Sequence, residues 1–94
     1  MNFKGKYMPY IKYSKREDLE VDLNSVSKKV ETIGELTYCF YKLAINYLGN
    51  KESFPTYSDY AEIIAALENS KIEFYLRKLS PYEDIKMQEN GDVI

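Results

Sequence analysis

The stretch ELTYCFYKLAINYL, residues 35–48, constrains this chain more than any other. Leu36, Phe40, Leu43 and Tyr47 recur at the roughly 3.5-residue spacing of a helix seam. Tyr38, Tyr41, Ile45 and Leu48 form a second seam of the same period, and only Glu35, Lys42 and Asn46 make a plainly polar line. A helix apolar round most of its circumference has to be covered on most of it. The chain has 94 residues, and a domain of that size buries only roughly 60–65% of the surface its unfolded chain exposes. The spacing therefore predicts a central helix, or a helix with one face in the core and the other against a second subunit. A homo-oligomer is expected.

The flanking segments predict a mainly α fold. One small domain over 1–94 is expected, with about three helices and a short extended or β-hairpin element joining the N- and C-terminal ends. Residues 1–16 carry Lys4, Lys6, Lys12, Lys15 and Arg16 without an acid, and Pro9 suits an extended basic arm. The form SKRE at 14–17 is that of a capping box, so a turn of helix is expected to start there. The first full helix is expected over 22–33, capped by Asp22, with Leu23, Val26, Val30 and Ile33 on one face and Gly34 as the break. The second is expected over 35–48. Thr56 with Asp59 has capping-box form and opens a third helix over 57–79.

The ending SPYEDIKMQENGDVI, residues 80–94, is expected to be a capped turn followed by a hairpin or a short helix. Pro81 has no backbone N–H, so the third helix should stop or kink near Ser80, which with Glu83 is placed to cap a new turn. Asn90-Gly91 suits a two-residue hairpin turn that returns Val93 and Ile94 to the body. It equally suits the left-handed end of a short helix. The hairpin is the favoured reading.

Chemistry is limited by what is missing. There is no histidine, and a single cysteine, Cys39, lies within the apolar helix. No metal site, no cofactor and no catalytic residue is expected, because neither a zinc ligand set nor an activated nucleophile can be assembled from these residues. A net charge of −2 is not that of a general nucleic-acid binder. No run is long and apolar enough for a bilayer, so no membrane partner is expected and a cytoplasmic site in a bacterial host cell is. Ten tyrosines and no tryptophan stand out. Tyrosine joins an apolar ring to a polar tip and suits interfaces. Lys71, Tyr75, Arg77 and Tyr82 lie close along the chain around Pro81, which places aromatic rings and cations where a nucleotide-like ligand needs both.

The segments MPYI (8–11), GELTYCFYKLAINYL (34–48), IIAALENSKIEFYLRKLSPYED (63–84) and ENGDVI (89–94) resemble a family of uncharacterised proteins of about 90 residues from phages, prophages and bacteria, marked by a PYED…K…NGDV ending. The resemblance adds Glu83, Asp84, Lys86, Asn90 and Asp92 to the candidate ligand-binding residues, and it implies a setting rather than a reaction. A non-enzymatic binding protein of phage or prophage type is expected. In its most concrete form it is an immune-evasion protein that sequesters a nucleotide-like defence signal at a subunit interface. The alternative is a protein–protein interaction module that docks on a host or phage protein through an apolar helix face.

Overall fold

Two helix starts in this chain, at Thr32 and Thr56, are set by side chains that accept the unpaired N–H groups of a first turn. A computed structural model describes residues 11–93. The chain falls into two units, residues 1–50 and 51–94. The described residues are mainly helical, and no strand occurs among them.

The first unit holds α1 (Tyr13–Ser27) and α2 (Ile33–Gly49). The expected helix over 22–33 is corrected at both ends. Asp22 is an interior residue of α1, and the start is at Lys12, whose carbonyl accepts from the Lys15 and Arg16 N–H groups. Ser14 does not cap it. The end comes at Ser27, where the Lys29 N–H turns back to the Val26 carbonyl at 2.9 Å. A new helix start five residues on sets this end. Thr32 and Glu35 make a reciprocal capping box: the Thr32 hydroxyl accepts from the Glu35 N–H at 3.1 Å, and Glu35 Oε1 accepts from the Thr32 N–H at 3.3 Å and the Glu31 N–H at 2.7 Å. Such a box opens a helix and cannot sit inside one, so Ile33 begins α2 instead of ending its predecessor.

The second unit holds α3 (Tyr57–Phe74), a wide π-type turn (Tyr75–Leu79) and α4 (Ser80–Asn90), which follow one another without a non-helical residue between them. With α1 and α2 this makes three helices among the described residues. Thr56 and Asp59 form the second capping box, with the Thr56 N–H donating to Asp59 Oδ2 at 2.9 Å and the Asp59 N–H to Thr56 Oγ1 at 3.3 Å. Lys51 Nζ lies 3.4 Å from the other Asp59 oxygen.

The expected break at Ser80-Pro81 is also corrected. Ser80 has helical backbone angles and caps nothing, and the helix runs through Pro81 to Asn90. Proline inside a helix lacks an N–H and presses its ring on the carbonyl four residues back, here Arg77. The chain accommodates this by widening the turn just ahead of it. The Ser80 N–H reaches five residues back to the Tyr75 carbonyl, which takes one extra residue into the turn. The favoured hairpin over 85–94 is therefore absent. Asn90-Gly91 ends a helix, with the Gly91 N–H donating to the Met87 carbonyl at 2.8 Å and Gly91 at φ 83, ψ 153. Val93 is 100% exposed and does not return to the body. The basic arm expected to be extended over 1–16 is helical from Tyr13; its part before residue 11, the proposed pairing with the ending, and Ile94 lie outside the described residues.

None of the described residues is buried. Within the first unit α1 does not pack along α2, and Phe40 and Leu43 of α2 are 53% and 57% exposed. Among the described residues no helix is long and apolar enough to cross a membrane.

Candidate functional site

The residues gathered by the Pro81 region form an open groove along α4. Its lining is Tyr75, Ser80, Tyr82, Glu83, Asp84, Lys86, Met87, Asn90 and Gly91. Six of the nine expected ligand-binding residues are thus brought together: Tyr75, Tyr82, Glu83, Asp84, Lys86 and Asn90. The wide turn does this. In a plain α-helix a residue eight positions on stands about 80° round the axis. The extra residue taken up at 75–79 makes Glu83 stand where a seventh residue would, roughly 20° from Tyr75. The Glu83 carboxylate, which lines the same groove as Tyr75, favours the protonated phenol as a hydrogen-bond acceptor and by its charge, and with the charge of Asp84 it holds Tyr75 above the ordinary tyrosine range.

The cations of the region are engaged. Lys86 Nζ lies 3.1 Å from Glu89 Oε2 and 5.7 Å from the centre of the Tyr82 ring, a distance at which ring and cation attract. Lys71 does not line this groove. It pairs with Glu68 at 3.3 Å and borders a neighbouring, mostly apolar groove with Ile72, Phe74, Leu76 and Leu79, which Tyr75 also lines. Arg77 lines neither; its Nε lies 3.1 Å from Glu73 Oε2. The other oxygen of Glu73, Oε1, is shielded from solvent and has no hydrogen-bond partner among the described residues. Asp92 lies past the helix end, and its Oδ1 accepts from the Val93 N–H at 2.6 Å.

Ser80, Met87 and Gly91 are groove residues that the sequence reading passed over. Their place depends on the phase shift at the wide turn. A Tyr-x₄-Ser-Pro pattern is the available signal, since a proline that far inside a helical run calls for a displaced ladder. Among the described residues no three carboxylate or cysteine side chains converge as a metal set would require.

The groove has one wall, because all its lining comes from one helical run and the glycine that ends it. Its carboxylates outnumber its cations. It can receive the side chains of a partner surface more readily than it can enclose a phosphate-bearing molecule, which needs walls on several sides and an excess of positive charge.

Residues 8–93 match the family model described as a domain of unknown function, DUF6899. The chain belongs to the DUF6899 family. The match covers nearly the whole sequence, including α2, the Pro81 region and the ENGDV ending. No curated protein matches the chain, and no solved structure does. The DUF6899 description assigns no reaction or ligand.

Proposed function

We propose that this DUF6899 protein is a non-enzymatic interaction protein that docks through the apolar face of α2. One observation carries the reading: along a 17-residue helix, Leu36, Tyr38, Phe40, Tyr41, Leu43, Ile45 and Tyr47 are all exposed. Contiguous apolar surface on that scale marks an interaction site. Its four aromatic residues are of the kind that anchor interfaces. The test is photo-crosslinking in the cells that make the protein, with a photoreactive phenylalanine analogue in place of Phe40 and, separately, Tyr41. An adduct with any polypeptide supports docking. Recovery of the uncrosslinked chain alone from both positions overturns it.

A second reading, capture of a nucleotide-like molecule by a protein of phage or prophage origin, is favoured by a separate feature. Tyr75, Tyr82 and Lys86 border one groove and supply rings and a cation together. The missing walls would come from another subunit, and the Lys86–Glu89 pair would have to open. Heat release of bound small molecules followed by mass spectrometry tests it. A nucleotide-containing species at near-stoichiometric yield supports it, and an empty extract overturns it.

A further inference from the structure

We infer that the partner of the Leu36–Phe40–Leu43–Tyr47 seam is the same seam on a second copy of the chain, running antiparallel about a two-fold axis. This rests on the docking reading of α2 and names its partner.

The order of side chains along the seam is the first argument. Turned end for end about the midpoint between residues 41 and 42, the seam sets Leu36 against Tyr47 and Phe40 against Leu43 of the copy. The two remaining layers are their symmetry mates. Every layer then holds one aromatic and one aliphatic side chain, the alternation of large and small that lets facing helices interdigitate. A parallel pair would put Phe40 on Phe40 and Tyr47 on Tyr47, with Leu36 and Leu43 leaving gaps between them. A two-fold contact uses one patch twice, so such a patch must be complementary to itself.

Charge is the second argument. In an antiparallel two-fold pair a charge close to the axis faces its own symmetry mate of the same sign, so the middle of a self-paired seam should carry none. The seam carries none. By helical phase its neighbours are Ile33, Cys39, Ala44 and Asn46, while Glu35 and Lys42 fall roughly 110–130° away. Glu35 is in any case held in the capping box at the start of α2. The small Cys39 and Ala44 let two helix backbones approach closely, and both are half-buried already.

Area is the third. Phe40, Leu43 and Tyr47 are each more than half exposed. With Leu36, the seam offers on the order of 400 Å² per chain, about half of what each partner gives to a stable interface. The flanking residues add to it. A reversible dimer is what this area supports.

Sedimentation of the full chain, from micromolar to near-millimolar concentration, is the test. A monomer–dimer equilibrium is expected. Phe40→Leu turns both central layers into leucine pairs and Leu43→Phe turns both into phenylalanine pairs, so each should weaken dimerisation by about tenfold or more. The double variant Phe40→Leu/Leu43→Phe restores mixed layers and should recover most of the loss, with helix content unchanged by circular dichroism throughout. In a Cys39→Ala background, mixed Leu36→Cys and Tyr47→Cys chains should form a disulfide faster than either variant with itself.

A monomer at every concentration overturns the inference, as does a larger assembly indifferent to the seam substitutions. Faster self-pairing of Leu36→Cys would show a parallel seam and overturn it too. A monomeric protein that still yields a photo-adduct with a different polypeptide would leave docking intact and remove only the second copy.

Discussion

Tyr75 and Glu83 line one groove across a helix turn that holds one residue more than an α-helical turn does, and the Glu83 carboxylate acts on the Tyr75 hydroxyl. A negative acceptor favours the protonated phenol, so Tyr75 titrates above the ordinary tyrosine range. A group whose folded value is raised contributes stability that is complete below its unfolded value and lost as pH rises through the folded one. Helix content should therefore begin to fall on the alkaline side of the ordinary tyrosine range. In Glu83→Gln this Tyr75-linked fall should be smaller, and Tyr75 should titrate nearer the ordinary value. The difference in tyrosinate absorbance between each protein and its Tyr75→Phe counterpart measures it.

Pro81→Ala removes the reason for the wide turn. Alanine restores the missing N–H and relieves the Arg77 carbonyl, so the ladder should close into a plain α-helix. The helix should gain up to about 3 kcal/mol, the difference between alanine and proline in a helix interior. Glu83 should swing about 100° away from Tyr75. The same tyrosinate titration should then show Tyr75 at its ordinary position, although neither Tyr75 nor Glu83 has been changed.

Thr56 and Ser80 are both hydroxyl residues at sites with the look of a helix start, and only Thr56 caps one. Thr56→Ala should cost about 1 kcal/mol of helix stability, while Ser80→Ala should stay within about 0.5 kcal/mol of neutral. Thermal or urea unfolding followed at 222 nm compares them. Asp59, the reciprocal partner, is held below the ordinary aspartate range, chiefly by the hydrogen bond from the Thr56 backbone and also by the Thr56 hydroxyl and Lys51. A depressed carboxylate contributes stability that is present above its unfolded value and lost as pH falls through the folded one. Acid titration should fray the start of α3 in the wild type, and Asp59→Asn should largely remove that dependence.

Gly91 stands at φ 83, ψ 153, a region that residues with a Cβ avoid. Gly91→Ala should fray the end of α4, at a cost of roughly 1–3 kcal/mol if the angles were kept. Faster amide exchange at residues 88–91 is the expected sign. Val93→Ser should by contrast leave the melting temperature unchanged, because Val93 is fully exposed.

Local signals in the sequence carried the fold as far as they are local. The Thr56–Asp59 box reads directly as the start of α3. The Thr32–Glu35 box is written in the same form, TIGE, yet Ile33 also fits the spacing of Leu23, Val26 and Val30. Periodicity won there over the cap and misplaced the first helix. At Pro81 the rule that proline ends a helix was overridden by a ladder displaced five residues upstream, which no pairwise pattern reports. Asn90-Gly91 serves a hairpin and a helix end equally well, and the choice depends on whether a second strand exists. The candidate groove was legible in its rings and acids. Ser80 and Met87 were not, because their place depends on the extra residue at 75–79.

That extra residue also acts as a phase shifter. The side-chain tracks of α3 do not continue as tracks of α4; they resume about 100° round the axis. A rod-like partner laid along Tyr60, Ile63, Ile64 and Leu67 would lose its footing at Tyr75 and find a different row of side chains beyond it. The helical run therefore carries two rows of side chains out of phase on one piece of secondary structure, so a substitution in one row leaves the other in place.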